Sequence, residues 1–134
     1  MISLLRSVYS FLLEIGKNIN FQKEIKGVDV LEHCRDYLDK HYMEEITLDM
    51  IAEKYYFNAS YFSTIFKNYF GKSFSNYLIE IRMKKAKELL VSSDEKIKEI
   101  TNKVGYNDAN YFIRAFKKYY GYTPEEYRRM KAKD

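Results

Sequence analysis

Residues 61–77 read YFSTIFKNYFGKSFSNY, and the chain repeats this pattern fifty residues later as YFIRAFKKYYGYTPEEY at 111–127. Seven of the seventeen aligned positions are identical, pairing Tyr61, Phe62, Phe66, Lys67, Tyr69, Gly71 and Tyr77 with Tyr111, Phe112, Phe116, Lys117, Tyr119, Gly121 and Tyr127. Upstream, at an offset of forty-nine, three more matches pair Ile51, Lys54 and Asn58 with Ile100, Lys103 and Asn107. The chain therefore contains two copies of one structural unit, and the second copy has one extra residue in a turn.

Each copy has the pattern of a short helix, a tight turn and a longer helix. In the first copy Thr47 is a candidate N-cap, and apolar residues follow at helical spacing: Leu48, Ile51, Ala52 and Tyr55. After Asn58, a helix from about Ala59 to Gly71 places four residues inward: Phe62, Ile65, Phe66 and Tyr69. In the second copy the inward residues are Ile97, Ile100 and Val104, then Phe112, Ala115, Phe116 and Tyr119. Thr123 and Pro124 then open a last helix.

Residues 74–91, FSNYLIEIRMKKAKELLV, contain no Gly or Pro and predict one continuous helix between the copies. We expect its buried face to carry Phe74, Leu78, Ile81 and Leu89. Such a helix spans about 27 Å, which approaches the roughly 34 Å between successive major-groove faces on one side of B-DNA. The spacing suits a clamp on two grooves.

Composition limits the class of fold. The 134 residues are 46% hydrophobic and include one Pro and five Gly, which argues against disorder and against an all-β fold. We predict an all-α protein with two helix-turn-helix subdomains joined by a long linker helix. Since the chain shows neither a long apolar run nor a signal-peptide pattern, we expect a cytoplasmic location and no membrane partner.

Charge is segregated along the chain, although the net charge is only +4. Residues 28–60 carry three basic and eight acidic side chains, whereas 61–91 carry six and two, and 109–134 carry seven and three. Solvated helix faces would explain either basic block alone. Their recurrence in matching context favours two surfaces for a polyanion such as DNA.

Enzyme chemistry is not predicted. The single cysteine, Cys34, cannot form an intramolecular disulfide, and with His33 and His41 on the same predicted helix it makes a poor metal site. A buried small residue is the better interpretation of Cys34. No phosphate loop or nucleophile set occurs, so we expect no cofactor and no metal, and the remaining rival to DNA binding is a protein-only adaptor.

The outward faces of the two longer helices differ where their inward faces agree. The first face carries Ser60, Ser63, Thr64 and Lys67, and the second, shifted by fifty, carries Asn110, Ile113, Arg114 and Lys117. Two readers of different base sequences require such divergence. Arg114 suits guanine, Asn110 suits adenine, and an exposed Ile113 suits a thymine methyl. Ser60, Ser63 and Thr64 are less selective base-reading candidates.

Phosphate contacts are assigned separately from base contacts. Lysines near the ends of the longer helices suit phosphate oxygens: Lys67, Lys72, Lys117 and Lys118. The helix starts near Thr47 and Asn58 offer backbone N–H groups for the same purpose.

The order ITLDMIAEKYYFNASYFSTIFKNYFGKSFSNYLIEIRMKKAKELL, then IKEITNKVGYNDANYFIRAFKKYYGYTPEEYRR, resembles the AraC/XylS family of bacterial transcription regulators over about 28–130. The resemblance implies a seven-helix domain that docks in adjacent major grooves of promoter DNA, with RNA polymerase as a further partner. It places base reading at Ser60, Ser63, Thr64, Asn110, Ile113 and Arg114. Two departures stand out, namely Thr101 where the family usually has Ala, and a first reader poor in long polar side chains.

From these patterns we place the first subdomain at 28–78, the linker helix at 74–91 and the second subdomain at 92–134. Residues 1–27 lie outside the resemblance and predict an extra amphipathic helix, with an apolar stripe of Ile2, Leu5, Val8, Tyr9, Leu12 and Ile15. Its expected partner is a second copy of the chain or a sensor domain, contacted through residues 1–20.

Overall fold

The computed structural model describes the backbone of residues 19–133 and the side chains from residue 29. Over this range every regular element is a helix, as predicted, and there are seven: α1 Ile19–His41, α2 Leu48–Lys54, α3 Ala59–Phe70, α4 Phe74–Ser92, α5 Ile97–Lys103, α6 Ala109–Tyr120 and α7 Pro124–Ala132. Helix α1 continues unbroken across residues 27 and 28. The predicted stripe from Ile2 to Ile15 lies outside the described residues. No helix among those described is long and apolar enough to cross a membrane.

The chain divides into two compact units. Among the described residues the first unit consists of 19–40 and 46–77, and the second of 41–45 and 78–133. Helix α4 therefore begins in the first unit and continues in the second, whereas the loop 41–45 belongs with the second unit although both of its flanks belong to the first. The sequence repeat does not predict that the loop 41–45 belongs to the second unit.

Aromatic rings build the core of the first unit. Phe62 and Phe66 of α3 have no solvent exposure, and the Phe66 ring lies 5.5 Å from the rings of both Phe74 and Tyr77 between centroids. The remaining buried side chains come from α1, α2, α3 and the loop before α2: Leu31, Cys34, Leu38, Ile46, Ile51, Ala52 and Tyr69. Cys34 is buried, as expected, and burial raises the pKa of its thiol to about 12.

The second unit has an equivalent core. Its cluster contains Met83, Ala86 and Leu90 from α4, Ile100 and Val104, Phe112 and Phe116 from α6, and Tyr127 from α7. Phe112 and Phe116 thus occupy the positions that Phe62 and Phe66 hold in the first unit, as the repeat predicts.

The repeat extends to the helix that precedes each helix-turn-helix pair. Buried residues of α1 correspond to buried residues of α4 at an offset of fifty-two: Leu31, Cys34 and Leu38 to Met83, Ala86 and Leu90. Because none of these pairs is identical, comparison of residue identities misses them; only their shared spacing and burial reveal a three-helix unit used twice.

Local signals set the helix boundaries. Thr47 Oγ1 accepts from the Met50 N–H at 3.1 Å, so this predicted N-cap is confirmed. Asn58 Oδ1 accepts from the Tyr61 N–H at 3.1 Å, so Asn58 caps α3. In the second unit the cap is Asp108, not Asn107. The extra residue thus lies in the turn before α6, as predicted. Helices α3 and α6 end at Gly71 (φ +79°) and Gly121 (φ +89°), where left-handed backbone favours glycine.

The predicted face of α4 is partly wrong. Phe74 and Leu78 are buried, but further along the helix the buried residues are Met83, Ala86 and Leu90, with Ile81 and Leu89 only half-buried. The buried stripe turns by roughly a third of a revolution along the helix. The change of face follows from the change of core, since the first turn of α4 packs in the first unit and Met83 onward packs in the second.

The inward placement of Tyr119 is also wrong, because this side chain is 46% exposed. Its counterpart Tyr69 is buried, and its hydroxyl donates a hydrogen bond to Glu32 on α1. At the position of α4 that corresponds to Glu32 stands Lys84, which pairs with Glu80 at 3.6 Å. Tyr69 and Tyr119 are therefore the same residue type at equivalent positions, but their surroundings differ.

Thr101, the departure noted from the sequence, is buried at the position that Ala52 holds in α2. Its hydroxyl donates to the Ile97 carbonyl at 2.7 Å. The helix itself thus satisfies the buried hydroxyl, which is why the core accepts a polar residue there.

Candidate nucleic-acid interface

Helices α3 and α6 share one construction and are both twelve residues long. Each buries two phenylalanines four residues apart on its inner face and ends at a left-handed glycine. Neither helix contains Asp or Glu. Their outer faces therefore carry no like charge that would repel a phosphate backbone.

The outer face of α3 is small and polar. Ser60, Ser63, Thr64 and Lys67 are all exposed, as the helical spacing predicts. The Thr64 hydroxyl, however, donates to the Ser60 carbonyl of its own helix at 3.1 Å. Apart from that of Lys67, the side chains on this face are short, so they reach little beyond the helix surface.

The outer face of α6 carries longer side chains. Asn110, Arg114 and Lys117 are exposed, in line with the sequence argument. Ile113 is not: it is half-buried and packs against the core cluster of the second unit. The expectation of a wastefully exposed isoleucine is thus wrong, because core packing alone explains an apolar residue at this position.

Tyr111, in the first turn of α6, is a surface residue that the sequence argument missed. It is 56% exposed, with its ring 5.9 Å from that of Tyr106. Its counterpart Tyr61 is half-buried and stacked on Phe57, with 6.0 Å between the ring centroids. The extra residue in the turn before α6 is the one sequence signal that the surroundings of the two tyrosines differ.

The candidate phosphate-binding lysines differ in exposure. Lys67, Lys117 and Lys118 are exposed on the last turns of α3 and α6. A positive charge there also interacts favourably with the negative end of the helix dipole. Lys72 is half-buried and takes part in other interactions of the chain. The side chains of Thr47 and Asn58 cap their own helices, so a phosphate there would meet backbone N–H groups.

Arg82 fixes the turn that precedes α6. Its guanidinium donates to the carbonyls of Tyr42 and Glu44 at 2.8 Å each and lies 5.2 Å from the centre of the Tyr106 ring. Gly105, in the same turn, has φ +100°, and a Cβ there would come within 3.0 Å of the Arg82 guanidinium and of Met43 Cα. The glycine therefore admits both the left-handed backbone and the arginine.

Among the described residues no three His, Cys, Asp or Glu side chains come together as metal ligands. Each unit instead presents a short helix, a turn and a longer helix with an exposed, acid-free outer face. This arrangement defines a helix-turn-helix module, the class of fold that places its second helix in the major groove of DNA.

Comparison with known proteins specifies the class. A family model described as a helix-turn-helix domain matches residues 51–130. An uncharacterized HTH-type transcriptional regulator of Escherichia coli K12, YijO, is 37% identical over 101 residues, which cover 75% of this chain and 36% of that protein. The chain thus spans little more than a third of this relative's length.

Solved structures show the same likeness. The C-terminal domain of AraT, a response regulator from Geobacillus stearothermophilus, superposes with a TM-score of 0.73 at 40% identity, over 75% of this chain and 84% of that domain. The DNA-binding domain of the transcriptional factor AdpA, solved with a target DNA, shares the fold with a TM-score of 0.71 at 23% identity, over 75% and 90% of the two chains. This chain belongs to the AraC-type family of helix-turn-helix domains, which are the DNA-binding parts of transcription regulators rather than enzymes.

Proposed function

We propose that this chain binds double-stranded DNA sequence-specifically, with α3 and α6 entering adjacent major grooves of one duplex to regulate transcription. One observation carries the proposal: the two helices bury equivalent phenylalanines but expose different side chains. A scaffold that is kept while its outer face changes is what two readers of different base sequences need.

The adjacent-groove arrangement is supported by the repeat and by the continuity of α4. Two copies of one unit are joined by a single unbroken helix of nineteen residues. The chain therefore offers two reading helices in one molecule, without requiring a second subunit. Binding both grooves makes the second contact intramolecular, which raises affinity above that of either unit alone.

The roles on α6 divide by chemistry. Arg114, exposed and long, is proposed to donate two hydrogen bonds to guanine, and Asn110 to read adenine. Ile113 is proposed to contribute at most its exposed edge to a thymine methyl. Lys117 and Lys118, a turn further on, are proposed to bind phosphates.

The first unit contributes weaker selectivity. Ser60, Ser63 and Thr64 are proposed as its base-facing residues, and Lys67 and Lys72 as its phosphate-binding residues, together with the helix starts at Thr47 and Asn58. Because the base-facing side chains are short, we expect the half-site bound by α3 to be the less stringent of the two.

A spacing experiment tests the two-groove proposal. Duplexes that the chain prefers are selected from a random-sequence library, and the two blocks of preferred bases are expected about one helical turn apart. Inserting five base pairs between the blocks rotates one block by about half a turn, and affinity should fall to that of a single block. Inserting ten pairs adds about one full turn, so it separates the blocks without rotating them and is the control for distance alone. Unchanged affinity after the five-pair insertion, or a selected site with a single block, would contradict the proposal.

A further inference from the structure

Thr64 has its polar group turned back onto the protein. Its hydroxyl donates to the Ser60 carbonyl one turn earlier, at 3.1 Å, while the residue as a whole is exposed. A threonine in a helix adopts this arrangement because its hydroxyl then has a hydrogen-bond acceptor in a carbonyl of the preceding turn. The hydroxyl proton is consequently not available to a base edge.

The group that Thr64 has left for a ligand is its γ-methyl. Once Oγ1 lies against the helix, the remaining substituents of Cβ are the methyl and a hydrogen. In the major groove, one base carries an apolar group that a methyl fits, namely thymine with its C5-methyl. The neighbouring Ser60 and Ser63 have no methyl group, so Thr64 is the apolar point among the short side chains of this face.

We propose that Thr64 reads thymine through a methyl–methyl contact, and that its hydroxyl takes no part in base recognition. This inference rests on the proposed function, since it requires α3 to lie in the major groove. It gives the first reader a definite ligand chemistry, the C5-methyl group of a pyrimidine, where its short polar residues suggested little selectivity.

Two variants separate the methyl from the hydroxyl. Thr64→Val keeps the shape and the methyl but removes the hydroxyl, whereas Thr64→Ser keeps the hydroxyl and removes the methyl. The DNA probe is a duplex selected from a random library with the unmodified chain, in which each thymine is replaced in turn by deoxyuridine, which lacks only the C5-methyl. Circular dichroism checks that both variants remain folded, as expected for an exposed position.

We expect one deoxyuridine position to weaken binding by the unmodified chain about threefold to fivefold, the effect of removing one methyl from an apolar contact. Thr64→Val, which keeps the methyl, should keep that sensitivity. Thr64→Ser should lose a similar factor on the thymine duplex and no longer distinguish thymine from deoxyuridine at that position.

Three results would overturn the inference: a loss of affinity with Thr64→Val but not with Thr64→Ser, indifference of both variants and of every deoxyuridine duplex, or persistence in Thr64→Ser of every deoxyuridine sensitivity that the unmodified chain shows. In each case the proposed function stands as long as the chain still prefers the selected duplex over random DNA. Failure to select any preferred duplex would instead remove the proposed function, and this inference with it.

Discussion

Lys87 Nζ lies 3.8 Å from the centre of the Tyr120 ring and 5.0 Å from that of Tyr127, so a lysine of α4 faces rings at the end of α6 and in α7. The first unit has a matching contact in which the Arg35 guanidinium lies 5.0 Å from the centre of the Phe70 ring. Arg35 and Lys87 are fifty-two residues apart, the offset that relates the buried residues of α1 and α4. The C-terminal end of each reading helix thus contacts a cation on the helix that precedes its helix-turn-helix pair.

Removing the charge of Lys87 should destabilise the second unit. Thr, Ser or Ala would also remove the aliphatic stem, so Lys87→Met is the sharper change. We expect it to cost about 0.5 to 2 kcal/mol, the range for a cation over aromatic rings, and Lys87→Arg to retain most of that. Urea unfolding followed by circular dichroism measures both. Lys84→Met, which removes only an exposed pairing with Glu80, is the matched control and should change stability by less. Equal losses from the two Met variants would show that the rings contribute nothing.

Truncation of the equivalent core phenylalanines should be severe in both units. Phe66→Ala and Phe116→Ala each leave a cavity where a fully buried ring stood, and each should cost about 3 to 5 kcal/mol. Asn68→Ala, on the exposed side of α3, should have little effect. Thermal melts compare the three, and wild-type melting of either Phe variant would refute the assignment of inward faces.

The turns of the two units should respond differently when glycine is removed from one and introduced into the other. Tyr56 has φ +61° and is 97% exposed, whereas Gly105, its counterpart at an offset of forty-nine, has φ +100° in a crowded turn. Gly105→Ala should destabilise by about 1 to 2 kcal/mol or more, because the added Cβ meets both a strained backbone and Arg82. Tyr56→Gly should be neutral or stabilising, since it relieves the strain and removes no buried contact. Denaturation that shows a loss for Tyr56→Gly would mean that its exposed ring stabilises the fold.

Cys34 should be chemically silent in the folded chain. Its burial and its pKa of about 12 leave almost no thiolate near pH 8. A thiol reagent such as dithionitrobenzoate should therefore react slowly with the native chain and rapidly in denaturing urea. Rapid labelling without urea would show that α1 opens readily.

Periodicity predicted the helices and most inward faces because those features depend on spacing and on caps such as Thr47 and Asn58, which act within a few residues. It failed where a distant partner decides the environment. Tyr119 is exposed, whereas its counterpart Tyr69 is buried and bonded to Glu32 of α1; at the position of α4 that corresponds to Glu32 stands Lys84. Ile113 is half-buried because it packs against the second core. The placement of 41–45 in the second unit depends on Arg82, whose two carbonyl partners lie about forty residues away along the chain. The exposed reading faces followed from the divergence between the two copies.

The measurement that tests the central claim most directly compares Arg114→Ala and Lys117→Ala on a selected duplex and on random DNA across a salt series. Arg114→Ala should cost about 1 to 3 kcal/mol on the selected duplex, relax the preference at one base pair, and change random binding much less. Lys117→Ala should weaken both duplexes alike and flatten the slope of log K against log salt by about 0.9, because one fewer counterion is released. If Arg114→Ala instead loses affinity equally on both DNAs, α6 grips only the backbone, and the claim that it reads sequence is contradicted.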